Sequence, residues 1–270
     1  MKQILAFSFI VLFFFSCEKE NSTEVAPIIP PVETMIVDFG KMANITKSAD
    51  IAKTNWLYSA TTVGWWSIIT GTTFAIPVAA FRSAIEVEPT YIDNLTWQWQ
   101  YSVEGFTSQY SARLTGQLQS KEVKWEMYIS KTGIQPFDEF LWFEGTSGID
   151  GNSGQWILYQ SSDFPEKTIQ IDWKKEAEKV GEIKYTYIRE KNDQGKTDSF
   201  NGSTLTYGLQ NTELDIFVNV HAYNAEEKKF NDSFIEWNST NYFGHVKAED
   251  FFKDSNWHCW DSEGNDILCD

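Results

Sequence analysis

Imidazole and thiol are scarce in this chain: three histidines and three cysteines in 270 residues. His221, His245 and His258 are therefore the only imidazole bases available for nucleophilic catalysis, which needs a nucleophile, a base and an orienting group. No Gly-x-Ser-x-Gly elbow and no His-Glu-x-x-His helix motif occurs, and no glycine-rich loop ends in Lys-Ser/Thr. The close Cys-x-x-Cys pairing of zinc knuckles is missing. The run Asp261 to Asp266 departs from the calcium-loop template, which places glycine at its sixth position. No cofactor or metal is therefore expected. Basic residues are also few, 22 against 38 acidic, for a net charge of −16. So acidic a chain is a poor partner for polyphosphates, which excludes nucleic acid, and its charge argues chiefly for solubility. No apolar run reaches the roughly 20 residues that a membrane-spanning helix requires.

Aromatic side chains, by contrast, are abundant: 12 Trp, 11 Tyr and 20 Phe, 16% of the chain. The N-terminus is equally distinctive. Lys2 precedes an apolar run from Ile4 to Phe15, then Ser16 and Cys17. A basic start, a short apolar stretch and a small residue form the anatomy of an export signal, here residues 1–16. The segment Leu12-Phe13-Phe14-Phe15-Ser16-Cys17 looks like a lipobox, in which the Cys17 sulfur is acylated and becomes the first residue of the mature chain. Phe14 stands where an aliphatic residue is usual, a variant that resembles Bacteroidetes-type lipoproteins. Residues 17–33 are polar and then proline-bearing (Pro27, Pro30, Pro31), which predicts a flexible, extended tether. Glu18 and Glu20 resemble the tags that send some such lipoproteins to the outer face of the outer membrane. The expected address is the cell envelope, with the membrane reached through the lipid.

With Cys17 committed to lipid, Cys259 and Cys269 remain. In an oxidising compartment they are expected to pair across a turn-rich loop, a link worth about 2–3 kcal/mol by chain entropy. The rival is a metal site joining them with His258 and His245, which the adjacency of His258 and Cys259 disfavours.

The remainder, 34–270, is a length suited to one domain. Residues 34–92 read as partly helical. Pro77 fits a first helical turn, and Val78, Phe81 and Ile85 recur on one stripe. Thr61, Thr62, Gly64 and Gly71 interrupt the apolar stretch from 55 to 85, so it predicts helices packed on or in a β domain. Residues 93–246 alternate strands and turns. Ten strands are predicted at 96–103, 111–120, 122–130, 139–144, 155–160, 168–174, 182–189, 203–208, 213–222 and 234–238. Short turns without helix-length gaps imply an antiparallel up-and-down meander, as a barrel or a strongly curled sheet, with a β-sandwich as the alternative. Residues 247–270 form a C-terminal segment with the disulfide loop.

Val123, Trp125, Met127 and Ile129 share one strand face, expected inside; Lys124, Glu126, Tyr128 and Ser130 share the other. Ile169, Ile171 and Trp173 behave likewise, as do Leu214, Ile216, Val218 and Val220. The outer face is expected to carry Tyr128, Trp142, Tyr159 and Trp237 with the carboxylates Glu126 and Glu144. The runs Trp125-Glu126-Met127-Tyr128, Leu141-Trp142-Phe143-Glu144-Gly145 and Trp257-His258-Cys259-Trp260-Asp261, with the lipobox, resemble Bacteroidetes envelope lipoproteins of uncharacterised function. That resemblance implies address and fold, and no activity.

Three functions compete. The first is a non-catalytic binding module for a small apolar or sugar ligand, with exposed Tyr128, Trp142 and Trp237 as platform and Glu126 and Glu144 giving direction. The second is a structural partner of another envelope protein, marked by a large apolar patch. The third is a glycoside hydrolase using paired carboxylates from Glu126, Glu144 and Asp172, marked by one carboxyl of raised pKa.

Overall fold

A computed structural model describes residues 25–37, 39, 42, 53–104, 108–177 and 179–269. Cys17, the expected lipid site, and residues 1–16, the expected export signal, lie outside the described residues.

Among the described residues fourteen strands form one sheet whose spatial order is the order of the sequence, every neighbouring pair antiparallel. They are β1 (Thr90–Tyr91), β2 (Thr96–Glu104), β3 (Ser108–Leu118), β4 (Glu122–Gly133), β5 (Phe137–Gly148), β6 (Ser153–Tyr159) and β7 (Lys167–Glu176). Then follow β8 (Lys179–Tyr187), β9 (Thr204–Leu209), β10 (Ile216–Asn224), β11 (Lys229–Trp237), β12 (Gly244–Lys247), β13 (His258–Trp260) and β14 (Asp266–Ile267). The ten expected strands are all present, and short pieces extend the sheet at both ends. The meander curls without closing into a barrel: β1 and β14 remain its edges.

Two helices occupy the trough. α1 (Thr54–Thr73) lies against β12, β13 and β14, and α2 (Ala75–Ala84) against β2 and β3, so the pair crosses from the last strands to the first. Pro77 explains the break between them, because proline has no N–H for the carbonyl four residues back and its ring collides with that carbonyl. On α2 Pro77, Val78, Phe81 and Ala84 are buried. Ile85 was expected on this stripe but is 49% exposed, because the helix ends at Ala84 and Ile85, as C-cap, turns outward.

Phe81 packs edge-on against Phe143 and Trp156, and Phe74 stacks on Tyr185. The Tyr101 hydroxyl donates to the Ala80 carbonyl. The chain before α1 is fastened as well. Trp156 Nε1 donates to Thr34 Oγ1 at 3.1 Å, and the Tyr185 hydroxyl donates to the Met35 carbonyl at 3.1 Å while accepting from the Val37 N–H. The flexible tether expected as far as 33 gives way earlier: Pro30 is buried and Ala26, Ile29 and Val32 pack on the core. Their apolar surface is better covered than solvated.

Alternation along the strands fixes the inside. Val123, Trp125, Met127, Ile129, Ile169, Ile171 and Trp173 are all buried, as expected. Across the strands runs a row of alternating tryptophan and glycine: Trp97, Gly116, Trp125, Gly145, Trp156 in direct register from β2 to β6. Each indole covers the bare backbone beside it. Gly154 beside Trp173, and Gly244 between Trp237 and Trp260, repeat the device.

Candidate functional site

The helices fill the trough incompletely. On α1, Asn55, Ser59, Ala60 and Val63 are buried on one side. The neighbouring stripe of Leu57, Tyr58, Thr61, Thr62, Trp65 and Trp66, at helical spacing of three and four, faces a cleft of about 700 Å³. The opposite wall is Val220, Ala222, Tyr223, Asn224, Asn231 and Ser233, from the end of β10 and the start of β11. Phe251, on the short helix α3 (Glu249–Phe252), closes one side and stacks 4.5 Å from Tyr58. A second lobe of about 360 Å³ shares Trp65, Trp66, Ala222 and Tyr223 with the first and continues to Thr168, Ile169, Tyr185, Tyr187, Phe200 and Ser203. In an antiparallel meander the starts of β7 and β11 and the ends of β8 and β10 lie at one end of the sheet, which is why they converge here.

Side-chain size explains the opening. Elsewhere the concave face carries the large rings of Trp125, Phe143, Trp156 and Trp173, of which Phe143 and Trp156 meet Phe81 of α2. Beside α1 it carries the shorter Val220, Ala222, Ser203 and Ser233, of which Ser233 meets α1 at the Tyr58 hydroxyl. Several apolar groups of the lining stay exposed: Trp65 at 62%, Phe251 at 50%, Phe200 at 49% and Leu57 at 42%. The polar groups are all neutral. Tyr58 Oη and Ser233 Oγ are hydrogen-bonded at 2.6 Å. Asn231 Nδ2 donates to Glu227 Oε2 at 2.9 Å, an orientation the carboxylate dictates, and its buried Oδ1 accepts from nothing among the described residues. No Asp, Glu, Lys, Arg or His is among the described residues lining either lobe. Burial pushes the Tyr185 phenol well above its ordinary value, so it too stays neutral.

The residues expected to form a platform are divided between the two faces. Glu126, Tyr128 and Glu144 do sit together on the convex face, with Glu126 directly opposite Glu144 in the β4–β5 register. Their polar groups serve one another and their neighbours. Lys124 Nζ meets Glu126 at 2.7 Å, and the Tyr128 hydroxyl donates to Glu126 at 3.3 Å beneath the Arg113 guanidinium. Lys167 Nζ and the Tyr159 hydroxyl donate to Glu144 at 2.8 and 3.0 Å. Burial raises the Glu144 carboxyl, but these two donors outweigh it and hold it below the usual carboxylate range. Burial, then Glu126, pushes the Tyr128 phenol up. Asp172 accepts from Gln155 and Gln170 at 2.7 and 2.8 Å.

Two exposures differ from expectation. Trp237 is 1% exposed and belongs to the concave face: its register partner is Ile216, and Ile235 opposite Val218 shares its side. Trp142 is 8% exposed. A bulge opposite Met127 and Tyr128 leaves it unpaired in β5, packed among Phe137 and Phe140.

Each histidine has a carboxylate and an aromatic ring: His221 with Asp232 and Phe230, His245 with Glu236 and Trp257, His258 with Asp254 and Phe252. None bonds a hydroxyl or thiol nucleophile among the described residues, and no group of side chains there is arranged to hold a metal. Cys259 and Cys269 are joined, sulfur to sulfur, at 2.08 Å.

The cleft escaped the reading of the sequence, although Trp65 and Trp66 stand out in it. The usable signal is a doubled stripe on α1, one side small and the other aromatic with threonine, combined with small inward residues on two adjacent strands. Strand pairing is needed to bring the two together. No protein-family model matches this chain, and comparison with curated proteins and with solved structures finds no match.

Proposed function

We propose that this protein is a non-catalytic binding module of the cell envelope, exported and held to the membrane by a lipid on Cys17, and that the cleft beside α1 is where it takes up a small, largely apolar ligand. One observation carries this reading: two adjoining lobes that share four residues, aromatic and open at the rim, lined among the described residues by neutral groups alone. Cleft sizes of this order suit small molecules, whose sites are mostly apolar with a few polar groups that fix orientation. The absence of an acid or base in that lining favours binding over chemistry. The carboxylates of the convex face favour it too, since Glu144 is held low by its donors and a general acid for glycoside cleavage requires a raised carboxyl.

The test is direct. The full chain is purified from the envelope of cells that make it, extracted with organic solvent, and the extract compared by mass spectrometry with that of Ala222→Trp. Residue 222 lies at the waist shared by both lobes. The expected result is one compound present near equimolar amount in the wild type and depleted at least tenfold in the variant. Equal amounts, with both proteins folded by circular dichroism, would remove the cleft as the site.

A further inference from the structure

Resting on that reading, we infer that the ligand is an elongated neutral amphiphile, a hydrocarbon chain ending in a hydroxyl-bearing head, and that the cleft rejects the same chain ending in a carboxylate. Three observations converge. The first is shape. Two hollows of about 700 and 360 Å³ lie side by side along a border shared by Trp65, Trp66, Ala222 and Tyr223, an elongated arrangement that suits a flexible chain better than a compact rigid molecule.

The second is the distribution of polarity. The larger lobe holds Thr61, Thr62, Asn224, Asn231 and Ser233, all neutral hydroxyls and amides. The smaller lobe is dominated by Ile169, Tyr185, Tyr187 and Phe200. The hydrocarbon therefore belongs in the smaller lobe and across the waist, and the head in the larger.

The third is charge. No lysine, arginine or histidine is among the described residues of the lining, and the whole chain carries −16. A carboxylate or phosphate entering the cleft loses water, finds no counter-charge and meets a repulsive field. The polar groups that the larger lobe does offer are the neutral hydroxyls and amides of Thr61, Thr62, Asn224 and Ser233. A ligand hydroxyl can both donate to such groups and accept from them, whereas an ionised carboxylate only accepts.

The experiment uses the full chain in phosphatidylcholine nanodiscs and two photoreactive probes of the same chain length. Each carries a diazirine in its hydrocarbon; one ends in a glyceryl ester, the other in a free carboxylate ionised at pH 8. After illumination the labelled peptides are read by mass spectrometry. The expected result is labelling of the peptides carrying Trp65, Phe200 or Tyr223 by the glyceryl ester, at least tenfold more than by the carboxylate, and its loss in Ala222→Trp. Equal labelling by both, or preference for the carboxylate, overturns the inference while leaving the cleft as a binding site. Absence of cleft labelling by either probe overturns the inference and the binding reading together. Asn231→Asp tests the neutrality of the wall, since it places a second carboxylate beside Glu227 without changing side-chain volume. A fall of less than threefold in glyceryl-ester labelling would remove Asn231 from the site.

Discussion

A methyl group on Gly145 would stand 2.2 Å from the Gln155 carbonyl oxygen and 2.4 Å from the Trp156 ring. Neither can retreat, since the carbonyl belongs to a paired strand and the ring is fully buried against Phe81 and Phe143. Gly145→Ala is expected to lower unfolding free energy by about 1–3 kcal/mol, the usual cost of overpacking, measured by urea denaturation. The alternation of Trp and Gly was visible in the sequence only as composition, because its meaning lies in register across strands. Glu144 tests a different force. Its carboxyl is held below the ordinary range, so the unfolded chain, where a glutamate titrates near about 4.3, takes up the proton more readily than the folded one. Its contribution to stability is complete above that value and is lost as pH falls through the folded pKa. The urea midpoint of the wild type should therefore drop more between pH 6 and pH 3 than that of Glu144→Gln. Equal drops would mean that Lys167 and Tyr159 do not stabilise the carboxylate in solution.

The first turn of α1 is fastened by the end of the sheet. The Thr54 and Asn55 N–H groups donate to the Asp266 carboxylate at 3.1 and 2.9 Å, as an anion should at a helix N-terminus. Asn55 Nδ2 donates to the Cys259 carbonyl, Lys53 Nζ to that of Glu263, and Gly264 lies against the Trp56 ring. All these partners fall within the loop that Cys259 and Cys269 enclose. Replacing both cysteines by serine is expected to cost about 2–3 kcal/mol and to raise amide exchange specifically over residues 54–58. Unchanged exchange there would separate the crosslink from the helix. Pairing of these cysteines was legible from count and compartment, and the stripe of α2 from Pro77, Val78 and Phe81. That the same loop caps α1 was not legible, since some two hundred residues separate Asn55 from Asp266.

At the scale of the molecule, ten strands with short turns sufficed to read an antiparallel curled meander. The missed strands β1, β12, β13 and β14 have two to four residues each, too few to show alternation. The expected binding face went astray for a related reason. Glu126, Tyr128 and Glu144 share one face, but the bulge at Trp142 takes that ring out of the group without any local sign, and Trp237 follows the parity of Ile235 onto the concave face in an unbroken register. Strand order that repeats sequence order also has a consequence for how the molecule comes into being. A chain synthesised N-terminus first can pair each strand with the one before it as soon as both have emerged. Its first long helix, by contrast, emerges early and must wait, its leading amides hydrated, until Asp266 and the crosslinked loop arrive. The assembly is thus sewn from one edge to the other and knotted last, and the wall of the cleft takes its final position only with that knot.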